Sequence, residues 1–584
     1  MVHDISTGKR YDTNNIKEIF SAETGCMLAK GFEKVISQGD AEANRERAAG
    51  FMETHVMSEY KISMNAKEPF SFISEPVNLN GPEKTAFWFS AGFGNGSPLP
   101  QPGGKYNIYV NDVFCLAVRN VNYSFYWRGE NSEFVFSMRR CETAPPYTGM
   151  QISPLIRDES QVAFGIGLLV VDNKILTDKC PAKITIEPVS DYQSARYFYI
   201  SYIGDILYQS NIWSALEILK TKNIKKSGGY SVYFGDIHTH SGQVRENADN
   251  QGCGMGSMND NYVYAKGPGG LHFYALTDHE RQILPDYEKE YFNLADIHNK
   301  DGVFACIKAF EHTSPIYGHR NIYFKNKAKV IDVFGFDEDN NNSPVHPGDM
   351  MNMLKSGGYE FFSIPHHPSS SSHPCNTGIL FDEDVCVEVY SVWGSSEYWG
   401  DFPRGVSDRH DCYWVSDIFK TNKIMGIVAS ADGHDGCPGG AQSPYPKHQH
   451  QFHFCGSGLT AVLCESLTRE NIYDAIKNRR CYATTGTPIV LDIDCGGHIM
   501  GSVIKNQKSP PTFIVKCRGT NSLKEIRIIK NGNIDYVHPC CGRWEITFSY
   551  TDNSYDGSNA NYYIRAVQSD MESAWSSPFF FRKA

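Results

Sequence analysis

Five apolar runs in the middle of this 584-residue chain stop at histidine, aspartate or glutamate. Tyr230–Phe234 runs into Gly235-Asp236-Ile237-His238-Thr239-His240, Phe273–Leu276 into Thr277-Asp278-His279, and Val303–Phe310 into Glu311-His312. Glu360–Ile364 runs into Pro365-His366-His367-Pro368, and Ile424–Ser430 into Ala431-Asp432-Gly433-His434. A sixth run, Val385–Tyr390, carries Glu388 within it. Imidazoles and carboxylates at the ends of buried strands are costly to desolvate unless something pairs them. A shared metal cluster supplies one partner for all of them. Where strands run parallel in an α/β barrel, their C-terminal ends open on one face, and ligands bind there. The two i, i+2 pairs, His238/His240 and Asp432/His434, also obey strand geometry, in which alternate side chains share a face.

Mixed imidazole and carboxylate donors suit Zn, Mn, Fe or Co better than Ca. Eight or so candidates exceed what one tetrahedral ion takes. The expectation is therefore two or three divalent transition-metal ions, Zn, Mn or Fe. Bridged ions about 3.5–4 Å apart acidify water and clamp the oxygens of a displaced group, which is the machinery of hydrolysis. A non-catalytic, metal-stabilised binding protein is the rival reading, and the excess of ligands over one closed structural site argues against it.

The flanking sequence has a different texture. Up to about residue 220, short alternating runs such as Lys105–Val110, Phe114–Val118 and Glu133–Met138 are punctuated by Gly, Pro and Asn, which suggests a β-sandwich. After Gly229, apolar runs alternate with helical patterns over Pro285–His298 and Thr468–Arg480, the second with Thr468 as N-cap. Strands alternating with helices argue for a parallel sheet or barrel. From about residue 490 the helical pattern stops, and Thr512–Cys517, Lys524–Lys530, Trp544–Tyr550 and Asn561–Gln568 read as strands, with a hairpin turn at Lys530–Asn533. The fold class is thus α/β, with three parts: residues 1–225 a β-sandwich-like domain, 226–490 the metal-bearing barrel, and 491–584 a second β-sandwich.

A net charge of -11 gives no nucleic-acid footprint. No stretch approaches the roughly 20 apolar residues of a membrane span, and the polar start MVHDISTGKRYDTNN lacks a signal peptide's apolar core. A cytoplasmic protein is expected, its 17 cysteines reduced and many of them buried.

The motifs HTH at 238–240, TDH at 277–279, Glu311, PHHP at 365–368 and SADGH at 430–434 resemble those of the PHP (polymerase and histidinol phosphatase) superfamily. YFGDIHTH, FEHTSPIYGHRNIYF, VEVYSVWGSSE, SADGHDGCPGG and RRCYATTG are similar to a PHP-like subgroup, some of whose relatives hydrolyse carbamate or ester bonds. The resemblance covers about residues 230–490. It implies a distorted (β/α)7 TIM-like barrel and the metal ligands His238, His240, His279, Glu311, His319, His367, Asp432 and His434. A further ligand shortly after His-x-His is poorly matched, with Glu246 and Asp249 as candidates. Asp278 and His366 are the candidates for catalytic proton handling, and the Trp393–Trp399 loop for the pocket wall. The expected reaction is hydrolysis of an ester-type bond by metal-activated water. Phosphoester is favoured, and carboxylester, carbamate or a carbohydrate-derived ester is the alternative. The expected partner is a small molecule, with no nucleic acid and no membrane.

Overall fold

The computed structural model divides into two compact units, residues 1–224 with 267–270, and residues 225–266 with 271–584. It describes 16–35, 69–95, 105–119, 124–138, 162–189 and 196–201 with shorter pieces of the first unit. In the second it describes 226–242, 252–283, 287–314, 317–330, 346–369, 380–401, 413–440 and 457–583, apart from 422 and 570.

The first unit holds two sheets. One has the strand order Phe125–Arg128, Ser132–Met138, Val162–Asp172, Lys84–Asn95, Arg196–Ser201, Ile62–Ser63, with Cys26–Lys30 added parallel to Lys84–Asn95. The other is Lys34–Val35, Phe70–Pro76, Pro181–Pro188, Lys105–Val110, Val113–Arg119. Alternate residues of Lys105–Val110 are buried, as the sequence alternation requires. Both sheets send side chains into one core, with Phe87, Phe89, Phe134 and Leu169 from the first and Phe72, Ile108 and Ile184 from the second. This is a sandwich-like pairing, as expected for the region. Asn111 and Asp112 take positive φ, 49° and 63°, in the two-residue hairpin between Val110 and Val113, the conformation that Asn and Asp tolerate best after Gly.

The second unit is mostly sheet with few helices. Its largest sheet has 12 strands, following Ala305–Cys306, Phe273–Tyr274, Tyr230–Asp236, Leu459–Cys464, Cys481–Thr484, Ser573–Ser576, Ala560–Gln568, Leu523–Lys530 and Asn533–Pro539 along its main path. Residue 490, the expected boundary, therefore falls inside a unit whose strands pair across it, through Tyr482 and Ser576. Thr468 caps the helix Arg469–Lys477, accepting from the Asn471 N–H at 3.2 Å, and that helix buries Ile472, Ala475 and Ile476. The hairpin expected at Lys530–Asn533 is present, with Asn531 and Gly532 at φ 49° and 74°.

The expected distorted (β/α)7 barrel is met only in part. The described residues are mixed α/β, and their continuous ladders trace no TIM-like barrel. Parallel pairing is limited to Tyr230–Asp236 with Phe273–Tyr274, the latter with Ala305–Cys306, Cys386–Ser391 with Gly426–Ala429, and two pairings made by Cys26–Lys30 and Val503–Lys505 elsewhere. Lys308–His312, Arg320–Phe324 and Phe361–Pro365 are antiparallel. The reason lies in the connection. Only residues 313–319 separate the first two of these strands, and a parallel crossover takes a dozen residues or more. Isolated parallel bridges, Thr239 to Gly433, His279 to Glu311 and Ser363 to Asp384, link the sheets. All three lie at or beside the strand-end motifs.

A buried charge cluster ties the Trp393–Trp399 loop to the C-terminal strands. Arg565 Nη1 donates to Glu397 Oε2 at 2.5 Å and to Asp401 Oδ1 at 2.6 Å. Trp575 Nε1 and Tyr563 Oη donate to Glu397 as well, at 2.7 and 2.8 Å. The loop is thus anchored from outside the strands that carry the candidate ligands. Within it, Trp399 is half exposed and the Trp393 ring stands 6.4 Å from the His367 ring.

Candidate metal centre

The strand ends converge on two buried carboxylates. Glu311 Oε2 lies 3.3 Å from His238 Nε2 and 3.1 Å from His240 Nε2. Its other oxygen, Oε1, lies 3.2 Å from His279 Nδ1, 2.9 Å from His319 Nδ1 and 3.6 Å from His366 Nε2. Asp432 Oδ1 lies 3.3 Å from both His238 Nε2 and His240 Nε2, and Oδ2 lies 3.8 Å from His367 Nε2. The expected i, i+2 logic holds: His238 and His240 address the same two carboxylates.

Three groups have donor atoms within 4.8 Å of one another: His238, His240, Glu311 and Asp432; His319, His366 and His367; and His240, His279, His434 and Cys253. All eight residues expected as ligands fall in these groups, and His366 joins them. Asp278 does not. Its carboxylate accepts from the Ser241 N–H and hydroxyl, both at 2.7 Å, and so fixes the turn that follows His240. Glu246 and Asp249 lie outside the described residues.

The donors fit divalent ions. His240 and His366 are fully buried, and although the Nε2 of each lies beside a carboxylate, no ring nitrogen of either makes a well-aligned hydrogen bond. Buried polar groups without partners are rare and call for an unseen ligand. Burial alone would raise the Glu311 and Asp432 carboxyls, but the surrounding imidazoles hold both well below the usual carboxylate range. Burial and the charge of His319 push His367 down to about 3, and burial with the charge of His238 lowers His366 too. Burial thus disfavours the charged form of both rings, and the neutral form is the one that binds metals. His367 and Asp432 also sit at positive φ, 31° and 49°, a strained conformation of the kind that gathers at functional sites.

Sequence reasoning left three contributors without a role. Glu388, fully buried, places Oε2 3.0 Å from His238 Nδ1. A carboxylate on the far nitrogen sets the tautomer and orientation of a ligating imidazole. Asp236 accepts from the backbone N–H groups of His238, Ala431 and Gly439 at 3.3, 3.0 and 2.8 Å, joining the first and last motifs. Its burial raises the carboxyl to about 7, against those three hydrogen bonds. Cys253 is the third. We predict that Glu388→Gln weakens metal retention about 10–100-fold while leaving the fold intact. Metal content after dialysis against graded chelator measures this, and unchanged retention would rule the orienting role out.

The chain resembles known proteins over parts of its length. Residues 275–384 and 440–516 match a family described as protein of unknown function (DUF3604). An uncharacterized protein of Chlamydia pneumoniae is 26% identical over 377 residues, 60% of this chain and 57% of that protein. One from Chlamydia trachomatis is 29% identical over 256 residues, 39% of each. The chain thus spans less than two thirds of the length of these relatives. Among solved structures, a two-domain protein from Bacteroides vulgatus containing a predicted PHP-like metal-dependent phosphoesterase is 12% identical, with a TM-score of 0.31, over 61% of this chain and 96% of that one.

Proposed function

We propose that the chain is a metal-dependent hydrolase that cleaves an ester-type bond, a phosphoester in the first reading. The observation that carries this is Glu311, whose two oxygens face different imidazole sets from four chain segments. The three bridges between sheets further support reading the strands around it as a distorted, partly antiparallel barrel. Two or three divalent ions, Zn, Mn or Fe, would be held by His238, His240, Glu311 and Asp432, by His319, His366 and His367, and by the group around His279 and His434.

Ions held there supply Lewis-acid polarisation of the bond and a water acidified to near neutrality. The protein's own groups do the rest. Glu388 turns His238 so that Nε2 faces the two carboxylates. Asp278, through Ser241, holds the turn beyond His240. Between the two candidates for the leaving-group proton, Asp278 has both oxygens occupied by Ser241, whereas His366 makes no hydrogen bond from either ring nitrogen and keeps one of them when the other faces an ion. That favours His366.

One observation supports a second reading, a carboxylester or carbamate. Among the described residues the ion-pair partners of Glu311 and Asp432 are all histidines, with no lysine or arginine beside them. Arg320, next to His319, is directed at the Tyr317 carbonyl (3.0 Å) and Asp384 (3.4 Å). A multiply charged phosphate ordinarily meets such cations. The test is elemental analysis of protein purified without chelator, with chromogenic phosphate, acetyl and carbamate esters assayed before and after chelation. Two or three ions per chain and chelator-sensitive cleavage are expected, and the preferred ester names the class. Protein that binds no metal after Zn or Mn is added would remove the assignment.

A further inference from the structure

The segment Gly252-Cys253-Gly254 lies closer to the His238–Ser241 strand end than ordinary residues allow. The Gly252 N–H donates to the Gly242 carbonyl at 3.0 Å and the Gly254 N–H to the Ser241 carbonyl at 2.9 Å. A Cβ at Gly252 would stand 2.1 Å from the Ser241 oxygen, and one at Gly254 2.1 Å from the His240 oxygen. Both are impossible contacts with backbone. Glycine on each side of Cys253 is what lets the two chain segments touch, and the cysteine between them is thereby delivered to His240, His279 and His434.

Two facts at this spot point to a ligand. His240 is fully buried with neither ring nitrogen hydrogen-bonded. His279 directs Nδ1 at Glu311 and Thr313, which leaves Nε2 as its other donor. We propose that Cys253 is a thiolate metal ligand, and that with His240, His279 and His434 it forms a pocket of three nitrogens and one sulfur for a thiophilic ion of the zinc class. This rests on the metal-centre reading above and gives its pockets unlike chemistry. The neighbouring pocket, sharing His240, holds Glu311 and Asp432 instead of sulfur. A thiolate together with imidazole nitrogens is the donor type that zinc takes in tetrahedral sites. A carboxylate-bearing set admits harder ions such as Mn. The centre is accordingly mixed, a zinc-class ion at Cys253 beside a more exchangeable one at the carboxylates.

The test strips the full-length protein with chelator and titrates it with Co(II) alone, following absorbance and bound cobalt. Wild type is expected to develop a thiolate-to-cobalt charge-transfer band in the near ultraviolet. One added equivalent of Zn should abolish the band, and Mn should not. Cys253→Ser should lose the band and one equivalent of cobalt while keeping the ligand-field absorption of the remaining sites. Cys253→His should restore the equivalent without the band, which separates ligation from folding. Cobalt bound by wild type without a thiolate band, or a band that survives in Cys253→Ser, overturns the proposal and leaves the metal-centre reading standing. No cobalt bound at all overturns both.

Discussion

Glu311→Gln is expected to deplete the metal centre and abolish measurable turnover. The substitution keeps the side chain's shape and removes its charge. One Glu311 oxygen sits 3.1 Å from His240 and the other 2.9 Å from His319, so a single carboxylate faces donors of two different groups. An amide offers one weak oxygen donor where the carboxylate offers two strong ones, so at most one side of the bridge survives. Losing Lewis-acid stabilisation of about 4 kcal/mol slows turnover roughly a thousandfold. Asp432→Asn, by contrast, should leave the His319, His366 and His367 group able to take its ion. Elemental analysis together with single-turnover rates on the preferred ester separates the two variants. A Glu311→Gln protein with the full metal complement and the parental rate would remove Glu311 from the centre.

The largest expected loss of stability comes from Arg565→Met. Arg565 is almost fully buried and is the cation at Glu397 and Asp401, both buried as well. Breaking such a cluster by deleting one partner costs about 3–5 kcal/mol, because the remaining charges stay desolvated. The loss has a pH signature. Burial already raises the Glu397 carboxyl to about 7 in the parent, against the lowering effect of Arg565. Without the arginine it rises further, above its unfolded value. An acid with a raised folded pKa binds more protons folded than unfolded, so stability falls as pH rises through that range. Urea unfolding of parent and variant should show a deficit that widens as the pH rises above about 7, where the parent's Glu397 has ionised and the variant's has not. A deficit that is flat with pH would mean that lost packing on Trp575, whose ring lies 4.9 Å from the guanidinium, outweighs the charge.

Most of the candidate ligands were legible because they close apolar runs, where a bare imidazole or carboxylate has no other ready explanation, whereas His319 came only with the family resemblance. His238, His240, Glu311 and Asp432 announce themselves in this way. Glu388 did not, because every residue of Cys386–Ser391 is buried and a strand covered on both faces shows no alternation to mark which side its polar residue faces. Cys253 lies in a glycine-rich stretch with no periodicity at all. Its only sequence signal is the glycine on each side, which becomes meaningful once Ser241 and His240 are seen pressed against it. Of the expected distorted (β/α)7 barrel, the described strands show a mixed α/β arrangement without a TIM-like ring, and one countable reason is the short link between Glu311-His312 and His319. The capped helix at Thr468 and the Asn531-Gly532 turn were readable because each depends only on neighbours in sequence. Strand pairing across residue 490 depends on partners some ninety residues away, and nothing local records them.

That shared sheet makes the second unit indivisible. The ladder from Ala305–Cys306 to Asn533–Pro539 passes through the strand that ends in the His-x-His motif and continues into the last strands of the chain. A polypeptide stopped at residue 490 would leave Cys481–Thr484 with an unpaired edge and Tyr390 without Trp575 against it. Exposed edges invite aggregation. The portion that carries the candidate metal centre is therefore expected to melt together with the C-terminal strands as one cooperative event rather than to behave as a cassette that can be excised.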